Sequence, residues 1–263
     1  MTVVSATLVA LIIGTLIVAL LPIVAFRLLK SPMKLDSRDA IVGIAAFMLF
    51  ATLIERGVYA LVPILPGAVQ WLSQPVAFVA FGIVVAAVIE EGGRYLGLRF
   101  VERHYGASSG DARGLSYGIG FGGTQAWFVG VIVLGQWVWL VWLAQHGQLN
   151  QQLSTMSPDL ALRIQMMLIT MSASTVVVRV LECLATFIFQ LAMSVLVWCG
   201  VQARKRWILP LAIVLHPIGD LPLMAFNAGA IPVSTMVTAY GLMPLILIAA
   251  LVRWWCRPAT RTA

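Results

Sequence analysis

The chain has 263 residues, of which 61% are hydrophobic and 10% charged, with a mean hydropathy of +0.97 and a net charge of +7. That composition excludes a soluble globular domain and points to an all-α polytopic membrane protein occupying the whole of 1–263 as a single transmembrane domain. The three cysteines, Cys183, Cys199 and Cys256, fall in or beside apolar segments, have no metal-ligand spacing between them and read as free and structural.

Residues 3–26 make a first span without a charge. With no basic residue before the apolar core and no small-residue cleavage site after it, it reads as a retained helix and not a removed signal. A charged loop at 27–39 turns at Pro32. The second span, 40–61, carries Glu55 and Arg56, with Tyr59 one turn past Glu55. Pro63, Pro66 and Pro75 punctuate a short connection whose Trp71 suits a membrane-interface anchor.

The third span, VAFGIVVAAVIEEGGRYLGLRF at 79–100, is where chemistry enters. Ionisable residues in mid-membrane must face protein or a wet cavity, which singles out Glu90, Glu91 and Arg94. On a helix Glu90 lies four residues from Arg94 and Glu91 four from Tyr95, so each acid has an in-line neighbour. The two acids point about 100° apart, so one can work while the other holds a partner. A structural Glu–Arg pair locking helices together is the plainer reading of the same residues. Gly92, Gly93 and Gly97 would let another helix approach closely.

A polar loop at 102–113 leads to the fourth span, 115–143, which is glycine-dense at first (Gly118, Gly120, Gly122, Gly123) and has Gln125 as its strongly polar side chain. Trp137, Trp139 and Trp142 read as the far interfacial belt. Residues 145–161 contain no Lys or Arg, and 162–201 is too long for one simple crossing. The expected division is a non-cytoplasmic loop and interfacial helix over 145–178, then a fifth span at 180–200. The sixth and seventh spans are 207–226 and 231–252.

Most of the 17 basic residues fall on one side of this arrangement. Arg27, Lys30, Lys34 and Arg38 lie after span one, and Arg99, Arg103 and Arg113 after span three. Arg204, Lys205 and Arg206 follow span five, and Arg253, Arg257 and Arg261 form the tail. The positive-inside rule then gives about seven transmembrane helices in one bundle, with the N-terminus outside and the C-terminus cytoplasmic. Orientation accounts for the basic excess, so nucleic acid is not an expected partner. The bilayer is.

Counted from the basic side, Glu90, Glu91, Gln125, Gln190 and His216 all lie roughly 13 to 17 Å deep, near the middle of a hydrocarbon core about 30 Å thick. In the fifth span Glu182, Thr186, Gln190 and Ser194 recur every four residues as a polar stripe. In the sixth, His216 and Asp220 share a face at i and i+4, a spacing that can bind a metal or let the acid orient the imidazole. A buried histidine held by hydrogen bonds is the alternative reading.

The blocks EEGGRYL (90–96), GIGFGGTQA (118–126), RVLECLATFIFQLAMSVLV (179–197) and LHPIGD (215–220) resemble the motif regions of the YhfC-like family of intramembrane metalloproteases, more distantly the PrsW and CAAX-processing group. The resemblance covers residues 76–220 as a protease-like four-helix core. It implies Glu90 or Glu91 as activating carboxylate or general base, Arg94 as its structural partner, and His216 with Asp220 as the second pole of the site. If the chain is active, Glu91, His216 and Asp220 are the implied zinc ligands. Two positions depart from the family pattern: Gln125 stands where a glutamate is usual and Gln190 where a histidine is usual. Each keeps a polar amide and removes a group that could ionise or bind zinc well.

Hydrolysis of a peptide bond needs an activated water and a proton donor for the leaving amine. With part of the layer neutralised, the expected function is a noncatalytic scaffold or binding subunit of a membrane complex, with Arg94, Gln125, Glu182 and Gln190 as a polar site layer, no bound cofactor and another integral membrane protein as partner. The alternative is an intramembrane metalloprotease with a reduced site of Glu90, Glu91, His216 and Asp220, and with zinc. A carrier is disfavoured by the lack of a visible internal repeat. The expected location is the bacterial inner membrane.

Overall fold

The computed structural model describes residues 5–105, 112–227 and scattered positions between 231 and 250, and every regular element in them is helical. Helix α1 (Ser5–Lys30) is followed by α2 (Ser37–Ala46), which runs through a π-helical stretch, Phe47–Ile54, into α3 (Glu55–Leu61). A 3₁₀ turn at Val62–Ile64 and the short α4 (Ala68–Leu72) lead to α5 (Pro75–Tyr105). Helix α6 (Ala112–Gln125), a second π-helical stretch (Ala126–Ile132) and α7 (Val133–Gln145) follow one another without a break. Then come α8 (Leu149–Leu153), α9 (Pro158–Thr170), α10 (Ala173–Gln202) and α11 (Ile208–Asn227).

Among the described residues, five helices are long and apolar enough to cross a membrane: Ala6–Lys30, Ser37–Ile64, Val76–Tyr105, Ala112–Gln145 and Ala173–Gln202. The chain is therefore an all-α, multi-pass membrane protein with about five such spans among the described residues. The expected sixth span corresponds to α11, whose apolar stretch Ile208–Pro222 is shorter and whose Pro217 and Pro222 each lack a backbone N–H for the helix ladder. Most of 231–252, the expected seventh, lies outside the described residues, as does Cys256.

One boundary differs from the sequence reading. The break placed near 178 falls instead at Met171 and Ser172, and α10 runs unbroken through that point. Met171 is extended (ψ 128°), and the Ser172 hydroxyl accepts from the Thr175 N–H at 3.3 Å and contacts the Ser174 and Thr175 hydroxyls at 2.8 and 2.9 Å. A serine that satisfies a free donor of the first turn starts a helix there. At α2 Asp36 has the same duty, accepting from the Arg38 N–H at 2.9 Å, and the Arg38 guanidinium holds its carboxyl below the usual range.

The chain divides into two compact units. The first comprises Met1–Val24 and Gln125–Leu184. Its apolar core joins Leu11 and Val18 of α1 to Leu134 and Val141 of α7 and Val176 and Val180 of α10.

The second unit, Ala25–Thr124 and Ala185–Ala263, is built around α5, which packs against α11, α2 and the first π-helical stretch. Helix α6 in this unit is a glycine helix with two contact faces. A Cβ at Gly114, Gly118 or Gly122 would lie 2.7, 2.9 and 2.8 Å from Cβ atoms of Trp198, Ser194 and Gln190, so these three positions, four residues apart, seat α10 directly on the α6 backbone. On its other face Gly120 meets the Ala40 carbonyl, and Gly43 of α2 meets the backbone of Tyr117 and Phe121. Without a hydrophobic drive between helices in lipid, such small-residue contacts supply the packing.

Arg113, placed by sequence at the end of a polar loop, is buried at the start of α6. It donates to the carbonyls of Tyr105 (2.7 Å) and Val101 (3.3 Å), occupying free acceptors at the end of α5, and lies 3.8 Å from the buried Asp39.

Candidate functional site

Three helices of the second unit bring their polar residues together. Helix α5 presents the adjacent Glu90 and Glu91 with Arg94 one turn on, α10 presents Gln190 and Ser194 at i and i+4, and α11 presents His216 and Asp220 at i and i+4. All but Asp220 are buried, and the Asp220 side chain is 35% exposed.

Arg94 pairs with Glu91, three residues before it, at 2.9 Å from Nε to Oε2. The partner is not Glu90, to which the four-residue spacing pointed. Its remaining donors reach α10: Nη1 donates to the Gln190 carbonyl at 3.1 Å and to the Ser194 hydroxyl, and Nη2 donates to Gln190 Oε1. The Ser194 hydroxyl in turn donates to the Gln190 carbonyl at 2.8 Å. The guanidinium lies 4.3 Å from the centre of the Phe121 ring of α6, a cation–π floor. A buried guanidinium is tolerable only with this degree of pairing and hydrogen bonding.

Glu91 uses its second oxygen on α11, accepting from His216 Nδ1 at 2.7 Å. That leaves His216 Nε2 facing Asp220 Oδ2 at 3.6 Å and Glu90 Oε2 at 3.9 Å. Phe189 closes the ring's side edge-on, its centroid 6.1 Å away. Glu90 Oε2 also accepts from Gln190 Nε2 at 3.2 Å. The Gln190 amide is thus engaged at both ends, its oxygen by Arg94 and its nitrogen by Glu90.

The residues that sequence reasoning singled out separate into two sets. Glu90, Glu91, Arg94, Gln190, His216 and Asp220 form the cluster just described. Gln125 and Glu182 belong to the other compact unit. There Glu182 pairs with Arg179 of its own helix at 2.8 Å, and Gln125 Oε1 has no hydrogen-bond partner among the described residues. Phe121, a floor for the guanidinium, was not foreseen, because an aromatic among glycines reads as packing.

The cluster's fit to a zinc ion rests on its donors. Nε2 of one imidazole with two carboxylates is a harder set than catalytic zinc sites use, which draw two or three ligands from His or Cys, and one of these carboxylates is already held by an amide. Gln190 stands where the resemblance implies a histidine and offers an amide in its place, so the donor set present is a poor fit for resident zinc.

No solved structure matches the chain. An uncharacterized membrane protein YhfC of Bacillus subtilis (strain 168) is 27% identical over 223 residues, covering 84% of this chain and 83% of the relative. The profile of the family described as YhfC intramembrane metalloprotease matches residues 17–241, so this multi-pass protein of the bacterial inner membrane belongs to the YhfC family.

Proposed function

We propose that the chain is a noncatalytic, protease-like membrane protein that acts as a scaffold or binding subunit for another integral membrane protein. The observation that carries this reading is Gln190. Its buried amide bridges Arg94 and Glu90, so the group standing where an ionisable or metal-binding side chain belongs is spent on structure. Seven crossings with the basic loops in the cytoplasm belong to the same proposal, with Trp139 (54% exposed) and Trp142 (37% exposed), stacked at 5.1 Å, as contact surface for the partner.

A second reading keeps a specific observation. His216 is oriented by Glu91 through Nδ1 and turns Nε2 toward Glu90 and Asp220, the disposition of an imidazole that could hold or pass a proton at Nε2. In that reading the protein is an intramembrane hydrolase with a reduced Glu/His/Asp site.

Purification from the native membrane in mild detergent separates the two, combined with a proteolysis assay of Glu90→Gln and Gln190→His variants against co-purifying membrane proteins. The scaffold reading expects a fixed partner and no cleavage in either variant or in the native chain. A protein that runs alone and cleaves a membrane substrate in a Glu90-dependent manner would establish the hydrolase.

A further inference from the structure

Where α5 and α10 end, the second unit holds a cavity of about 600 Å³ lined by Arg99 and Arg103 from α5 and by Arg204, Lys205 and Arg206 from the turn after α10. One acid, Glu102, shares the lining, and its carboxylate is taken by Arg99 at 3.0 Å. Among the described residues no carboxylate pairs with the other four cations. Orientation in the membrane explains why basic residues lie on this side; it does not explain why two separate segments turn theirs onto one concavity.

The turn that carries three of them is fixed. The N–H groups of Ala203, Arg204 and Lys205 return to the carbonyls of Cys199, Val201 and Gly200 at 3.0, 3.0 and 2.9 Å, closing α10. Arg204 takes the left-handed conformation (φ 51°) that such a closure usually gives to glycine, so a cation is held there against a conformational penalty. Beside it, Gly200 leaves no room for a Cβ against Ile208, which seats the turn on the start of α11.

The helices that supply these walls are membrane spans, so their last turns reach the headgroup region. We propose that the cavity binds a phosphate-bearing anion, either the headgroup of an anionic lipid in the adjoining leaflet or a soluble phosphate compound. A bare phosphate would fill a small part of the volume, and a phosphorylated headgroup matches it better. Tyr95, also on the wall, adds an amphipathic side chain of the kind found at this depth. The inference is independent of whether the Glu90 cluster is catalytic.

The test uses the full chain in phosphatidylcholine nanodiscs doped with phosphatidylglycerol, with retained lipid counted by native mass spectrometry. Arg103→Gln with Lys205→Gln is compared against Lys30→Gln with Lys34→Gln, which removes equal charge outside the cavity. Both cavity side chains are exposed, and an unchanged thermal melt in detergent confirms folding. The expected result is loss of phosphatidylglycerol retention by about fivefold per cation removed, in the cavity variant alone. Glycerol phosphate and inorganic phosphate at millimolar concentration form a second arm. If they displace the lipid, or bind in its place with the same dependence on Arg103 and Lys205, the site takes soluble phosphate compounds; if they do not, it takes the lipid headgroup. Equal losses in the two double variants, or no loss in the cavity variant, would overturn the proposal.

Discussion

Glu91 and His216 meet at 2.7 Å across 125 residues of sequence, Oε1 to Nδ1, while the other oxygen of the same carboxylate holds Arg94. One side chain therefore ties α5 to α11 directly and, through the guanidinium, to Gln190 and Ser194 of α10. Three helices are locked by a single buried anion. Whatever the protein does, this carboxylate is the junction of its second unit.

Removing that anion leaves a buried guanidinium without its counter-charge. Glu91→Ala is expected to destabilise the protein by about 3–5 kcal/mol, seen as a large drop in the thermal midpoint in mild detergent. Arg94→Lys should fare little better, because an ammonium cannot reproduce the planar fork that serves Glu91, Gln190 and Ser194 together. A melt unchanged in both variants would mean the pair is dispensable.

Adjacent glycines of α5 give opposite expectations. A Cβ at Gly93 would lie 2.6 Å from Phe50 Cβ, whereas one at Gly92 meets nothing within 4 Å. Gly93→Ala should cost about 1–3 kcal/mol by overpacking, and Gly92→Ala should be neutral or gain about 0.5–1 kcal/mol from helix propensity. Melting curves of the two single variants, one residue apart, check the packing of α5 on the π-helical stretch.

How far the sequence carries is visible in these same residues. Apolar run length located α1, the α2–α3 rod, α5 and the α6–α7 rod to within a few residues, because crossing a bilayer sets a length that few other constraints disturb. Depth along a helix was legible as well, since rise per residue is constant, and it drew Glu90, Glu91, Gln125, Gln190 and His216 into one layer, of which all but Gln125 belong to the second unit's cluster. Depth carries no azimuth, however. It could not say that Arg94 would choose Glu91 over Glu90, that Phe121 would lie under the guanidinium, or that Gln125 and Glu182 would belong to another unit. The Ser172 start of α10 follows from its hydroxyl accepting the Thr175 N–H, a cap that a division by segment length alone does not register. Arg113 looked like every other loop cation because its acceptors are backbone carbonyls at the end of α5, which no sequence pattern displays.

Metal content gives a direct check on the donor argument. Purified protein is expected to carry no stoichiometric zinc by elemental analysis, and His216→Ala is expected to leave the zinc content unchanged. One tightly held zinc per chain, lost in that variant, would transfer the balance to the hydrolase reading.

The bridging amide yields the sharpest test of the proposed role of Gln190. In the native arrangement its oxygen accepts from Arg94 and its nitrogen donates to Glu90 Oε2 at 3.2 Å. Gln190→Glu keeps an acceptor for Arg94 but sets two carboxylates against each other in a buried site, which should cost about 1–3 kcal/mol. Glu90→Gln alone exchanges a carboxylate acceptor for an amide that can still accept, and should cost less. Combining the two changes restores a complementary carboxylate–amide pair with the roles exchanged, so the double variant should recover most of the loss and show a coupling of about 0.5–3 kcal/mol in the cycle. If the amide is a structural bridge, thermal stability and partner retention recover together in the double variant. Strict additivity would mean that the two side chains do not speak to each other, and the observation on which the noncatalytic reading rests would fall.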